Sequence, residues 1–144
     1  MLTKQHWQHL IPHRDAMCLL DAVVAWDDSG IYARAVSHRD PNNALRSDGI
    51  LRSVHLCEYG AQAMAIHGGL LAQRDGRAAT PGLLVSLRAV KLHVARIDDL
   101  PDELDVYAQK LLDSGTSWQY EFHIEHRQQR LAQGRAAVIS GAYQ

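Results

Sequence analysis

The chain has 144 residues, 47% of them hydrophobic and 22% charged, with 15 basic against 16 acidic side chains. That length suits one domain, 1–144, with room for a sizeable core. The near-zero net charge excludes a protein that works chiefly by holding nucleic acid, which needs a basic excess or stripe, and no apolar run approaches the ~18 residues of a membrane span.

The N-terminal MLTKQHWQHLIPHRD lacks the long apolar core of a secretion signal. Cys18 and Cys57 fit no metal spacing and are too few for a disulfide framework. A reducing cytoplasm is the expected location. Nine histidines raise the question of a metal. His6 and His9 lie near a chain end, His123 and His126 fall on opposite faces of a strand, and no HExxH occurs. No metal site is expected, because zinc needs three or four convergent ligands.

The stretch before Pro12 predicts a short helix, which the proline ends. Ala22 to Trp26 and Ile31 to Val36 predict two short strands around the turn DDSG. His38 to Gly49, rich in turn formers, predicts a loop. An apolar helix follows, with Ser53 as its expected N-cap and the Gly68-Gly69 pair as its expected end. Leu83 to Ile97 alternates as a strand with a phase slip between Arg88 and Lys91, which predicts a bulge. Leu104 to Leu112, Ser117 to His126 and Leu131 to Ile139 predict three more strands joined by tight turns. One helix that is apolar nearly all round needs enclosure on most sides. A curved antiparallel sheet wrapped around it provides that, so the expected fold is α+β of the hotdog kind, with exposed edges that favour pairing of subunits.

Within the helix, SVHLCEYGAQAMAIHGG (Ser53 to Gly69) is interrupted by His55, Glu58 and Gln62. At roughly 100° per residue the three fall within about 60° of one another. A polar line on a buried helix marks a face turned toward something other than core.

IPHRDAMCLLDAVVAW (Ile11 to Trp26) resembles the LPHRxPxLLVDRV opening of β-hydroxyacyl–acyl-carrier-protein dehydratases, and VHLCEYGAQAMA (Val54 to Ala65) resembles their VExxAQ helix. The later strands look like the remainder of the same hotdog domain. The family's GHFPxxPxxPG segment, whose histidine partners the helix carboxylate, is replaced here by NNALRSDGILRS (Asn42 to Ser53), with Ala44 at the histidine position. The Asp48-Gly49 pair there is similar to the divergent dehydratase-like branch encoded with aryl-polyene enzymes.

The resemblance implies an acyl-thioester protein without a bound cofactor, its substrate carried on the phosphopantetheine of acyl carrier protein or on CoA, in a homodimer or higher homo-oligomer. Dehydration of a 3-hydroxyacyl thioester needs a base at the carbon beside the carbonyl, an acid at the departing hydroxyl, and donors at the thioester oxygen. Glu58 matches the family's carboxylate. Held among Val54, Leu56, Cys57 and Ala61 it is desolvated, which favours the protonated form that a proton donor needs. His55, one turn earlier on the stripe, is the catalytic candidate for the missing imidazole. His38 in the loop and His13 in the PHR motif are further candidates. His13 and Gln62 are placed on the substrate side, with buttressing of backbone as the plain alternative for each. Cys57 reads as a core cysteine. Arg88, Lys91 and Arg96 face either a carrier or solvent. Two other activities stay open: a hotdog thioesterase in which Glu58 activates water, and a non-catalytic partner that completes a mixed dimer with an active homologue.

Overall fold

The computed structural model describes residues 1–11, 17–78 and 82–140. A two-residue strand β1 (Leu2–Thr3) leads into the short helix α1 (Lys4–Trp7) and a 3₁₀ turn at Gln8–Leu10. β2 (Ala22–Trp26) and β3 (Gly30–Ala35) form the predicted hairpin. Asp27 builds its turn by accepting the backbone N–H groups of Ser29 and Gly30 and the Ser29 hydroxyl. After 3₁₀ turns at Ser37–Arg39 and Ser53–His55 comes the long helix α2 (Leu56–Arg74), then β4 (Gly82–Leu92), β5 (Leu104–Asp113), β6 (Ser117–His126) and β7 (Gln129–Ser140).

All seven strands join one antiparallel sheet in the order β1-β2-β3-β5-β6-β7-β4. α2 packs on its concave side against β3, β5, β6 and β7. Close approach is possible because Gly60 has no side chain: a Cβ there would come within 2.5 Å of the Phe122 ring. Leu56, Tyr59, Ala63, Ile66 and Leu70 then fill the space between helix and sheet. This is the hotdog arrangement expected from the apolar helix.

The sheet's other face carries a separate set of groups. Tyr32, Tyr107 and His123 stack across three strands with ring centroids 4.6 Å apart at each step. His126, three positions along β6 from His123, is buried and accepts the backbone N–H of Asp102. The two histidines therefore do lie on opposite faces.

Three expectations about elements need correction. Ser53 does not cap the helix: the chain enters through a 3₁₀ turn without a side-chain cap, and Ser53 donates its backbone N–H to the Ala95 carbonyl. Gly68 and Gly69 do not end the helix, which runs on to Arg74 before Gly76 turns at φ +70. Gly69 is small because Leu10 lies against it, 2.8 Å from where a Cβ would sit. Finally, β4 stops at Leu92, and residues 93–97 become a strap across the start of α2. The predicted bulge is present: the β4–β7 register shifts between Arg88 and Lys91, and Ala89 takes φ +53.

Candidate active site at the start of the central helix

The segment leading into α2 is held by three hydrogen bonds. Ile97 donates its N–H to Leu51 O at 2.9 Å and Ser53 donates to Ala95 O at 3.1 Å, which together make the antiparallel bridge of Arg52 with Arg96, and the Leu51 N–H goes to the Asp98 carboxylate at 2.9 Å. The Arg96 guanidinium holds that carboxylate charged and well below the usual range. A side chain at the start of α2 thus rests on a fixed backbone.

Glu58 lies in the first turn of α2 and is half-buried. The helix dipole favours a carboxylate there. Its surroundings are less dry than the sequence suggests, because Val54 is 53% exposed. His55 sits half-exposed at the end of the 3₁₀ turn, three residues before Glu58. Both stripe residues are therefore half-exposed near the start of the helix.

Gln62 lies one turn further in and is fully buried. Its Oε1 accepts the Leu19 N–H at 2.9 Å, and its Nε2 donates to Met17 O. The amide thus brackets Met17–Leu19, ahead of β2. Tyr59 acts beside it. The Ser37 hydroxyl donates to Leu19 O at 2.7 Å, so the Tyr59 hydroxyl donates to Ser37 Oγ at 2.8 Å and accepts from Asn43 Nδ2 at 3.3 Å. The Ser37–Tyr59 link was not foreseen, although a tyrosine beside Glu58 on an otherwise apolar helix was the available signal. His13 lies outside the described residues.

The loop that replaces the family's histidine segment is braced by Arg46. Its guanidinium donates to the carbonyls of Asp40, Gly49 and His38. Ala44 is exposed. His38, expected on a loop free to swing, is fully buried, and its Nε2–H donates to Leu100 O at 3.1 Å. Burial also disfavours its charged form. It holds the 98–102 turn in place.

A further buried histidine, His67, went unrecognised because IHGG reads as a helix end. The Nε2–H of His67 donates to Asp27 O at 2.7 Å, and its Nδ1 accepts the Tyr120 hydroxyl at 2.7 Å. Burial holds this imidazole neutral. It fastens the far half of α2 to the β2–β3 turn. The clefts beside that turn, about 230 and 270 Å³, are lined by residues such as Trp26, Tyr107 and His123 and by none of the stripe.

The edge strand β4 is unusual. Leu84, Leu87, Val90 and Leu92 point to the same face as the core yet remain 39–45% exposed, since α2 packs on the strands beyond it. An apolar stripe on an unpaired edge is a surface built for covering.

Residues 5–143 match the family model described as ApeP-like, ApeP dehydratase. No curated protein matches the chain. Among solved structures, the dehydratase heterocomplex ApeI:P from Xenorhabdus doucetiae is similar, with 23% identity over 94% of this chain and 91% of that one and a TM-score of 0.83. A hypothetical thioesterase with coenzyme A from Streptococcus pneumoniae (12% identity, 82% and 83% covered, TM-score 0.60) shares the fold. So does the PaaI protein of E. coli (14% identity, 82% and 81% covered, TM-score 0.59).

Proposed function

The chain belongs to the ApeP-like dehydratase family, and on that premise we propose that it is one subunit of a dehydratase acting on 3-hydroxyacyl thioesters borne by an acyl carrier protein, with Glu58 as an acid/base group. The observation that carries this reading is the position of Glu58: a half-buried carboxylate in the first turn of a clamped helix whose start has no side-chain cap. With substrate bound the acyl chain excludes water, which offsets the helix dipole and lets Glu58 hold a proton; Glu58 delivers it to the C3 hydroxyl, which leaves as water. An imidazole takes the C2 proton, the C2–C3 double bond forms, and the proton on the imidazole returns to Glu58 through solvent after product leaves. First-turn N–H groups, with the helix dipole behind them, stabilise the charge on the thioester oxygen.

The imidazole has two sources in this reading. His55 is this chain's own candidate. The other is a second dehydratase subunit seated on β4, whose loop reaches the mouth of α2; the exposed apolar stripe of β4 and the heterocomplex formed by the similar Xenorhabdus protein support it. In either case the stripe of β4 lines the acyl chain's path between subunits, and aryl-polyene synthesis is the pathway.

The test is an assay of the full chain on 3-hydroxyacyl carrier thioesters, alone and mixed with a hotdog dehydratase that has the family's histidine. Enoyl product that depends on Glu58 supports the reading. Enoyl product from this chain alone that is lost in His55→Ala assigns the imidazole to His55. Release of free thiol instead would make the chain a thioesterase, and no product in any mixture would leave it a binding subunit only.

A further inference from the structure

α2 starts without a side-chain cap, so its first turn is not oriented by a neighbouring polar side chain. The strap does this from a distance. In a regular antiparallel pair the Leu51 N–H would donate to Ile97 O, since Ile97 already donates to Leu51 O. Here Ile97 O is taken by the Leu100 N–H at 3.1 Å, because the strap turns at that point. The Asp98 carboxylate replaces it and accepts the Leu51 N–H at 2.9 Å, across 47 positions of chain. Leu51 is fully buried and the Asp98 side chain is only 6% exposed, so water does not stand in for that acceptor.

A buried carboxylate is a costly way to satisfy one N–H, and a neutral oxygen would serve the same bond. What the charge adds is stiffness, because charge-assisted bonds are shorter and stronger than neutral ones. Arg96 grips both carboxylate oxygens, donating from Nε to Oδ1 at 3.1 Å and from a second N–H to Oδ2. The turn beyond Asp98 is anchored as well. His38 donates to Leu100 O at 3.1 Å, the Asp102 N–H goes to His126 Nε2 at 3.2 Å, and the Asp102 carboxylate pairs with Arg127. A group that orients others needs a rigid support of this kind.

No loop separates this anchor from the candidate acid. Leu51 and Arg52 lead into the 3₁₀ turn Ser53–His55, which runs on into α2 with the Leu56 N–H shared by Ser53 O and Val54 O. Glu58 follows in the first turn. A shift at Leu51 is therefore carried to Glu58. We infer that Asp98 is a positioning residue for Glu58: through the Leu51 N–H it fixes the orientation in which the helix start presents that carboxylate. This rests on the reading of Glu58 as the acid/base group. Proton transfer needs its partners at hydrogen-bond distance, and a misplacement of about 1 Å lowers a rate by about 10²-fold.

The test is the kinetics of the assembled dehydratase on a 3-hydroxyacyl carrier thioester. Asp98→Ala removes the acceptor and should lower kcat roughly 10- to 100-fold with KM little changed. Asp98→Asn keeps an oxygen for the Leu51 N–H and gives up the ion pair, so it should recover most of that loss. An Asn variant as slow as the Ala variant overturns the assignment. Since Asp98 acts through Glu58, adding Asp98→Ala to Glu58→Gln should lower kcat no further than Glu58→Gln alone. Losses that multiply mean a structural role only and overturn it. Hydrogen exchange gives a readout without turnover: amides of residues 51–58 should exchange faster in Asp98→Ala, with those of β5 and β6 unchanged. Equal exchange at 51–58 also overturns the assignment. Should Asp98→Ala not fold, Arg96→Gln leaves the carboxylate but loosens it, and should lower kcat severalfold; wild-type kcat in that variant counts against Asp98. Wild-type turnover in Glu58→Gln means that the underlying reading fails. Lost turnover in Glu58→Gln beside wild-type turnover in Asp98→Ala means that only the positioning role fails.

Discussion

Gln62 Oε1 accepts the backbone N–H of Leu19 at 2.9 Å while the same amide donates to Met17 O. A side chain of α2 thereby fixes Met17–Leu19, the described residues that lead toward β2. Both backbone groups depend on that amide. Gln62→Leu, similar in size but without polar atoms, leaves both without this partner and should destabilise the fold by about 2–6 kcal/mol, from ~1–3 kcal/mol for each of the two stranded groups. Denaturant melts measure it. A loss below about 0.5 kcal/mol would mean that the bracket is not what orders this segment.

Gly60 and Gly68 should respond oppositely to alanine. Both sit in α2, where Ala is worth about 1 kcal/mol over Gly. At Gly68 a Cβ meets nothing within 4 Å, so Gly68→Ala should stabilise by about that amount. At Gly60 it meets the fully buried Phe122 ring, so Gly60→Ala should destabilise by about 1–3 kcal/mol through overpacking. Phe122→Leu should soften that penalty, which a double-mutant cycle on melting data would register as positive coupling.

Two buried histidines, His67 and His38, set an acid limit on stability. Burial lowers the pKa of His67 below its ordinary 6.5, against the opposing effect of its bond to Asp27 O; Lys110 lowers it further, and Asp27 and Asp28 raise it. The folded state thus binds the proton less readily than the unfolded chain. Stability from His67 is complete above about pH 6.5 and is lost as pH falls through that value toward the folded pKa, at up to about 1.4 kcal/mol per pH unit. His38 acts in the same direction. His67→Gln should be less stable at pH 8 yet lose less stability between pH 7 and 5 than the wild type. Parallel curves for the two proteins would remove His67 from this role.

Much of the fold was legible because its signals are local. The period-two alternation of β5 and β6 and the slip between Arg88 and Lys91 are written in consecutive residues. What escaped depends on distant ones. The Gly68-Gly69 pair resembles a helix end, and only Leu10 packed against Gly69 explains its place mid-helix. His38 looked mobile among turn formers, and only Leu100 O shows why it is buried. The polar line His55–Glu58–Gln62 was visible as a stripe, but not its division: Glu58 and His55 are half-exposed near the helix start, while Gln62 is turned to the backbone of Met17 and Leu19.

The most direct measurement is the turnover of Glu58→Gln on a 3-hydroxyacyl carrier thioester in the assembled dehydratase, alongside its melting temperature and substrate affinity. Glutamine keeps the shape and cannot deliver the proton. The account predicts a fall in kcat of about 10²–10⁴ with assembly, melting and binding little changed. Wild-type turnover in this variant would contradict it and move the chemistry away from the start of α2.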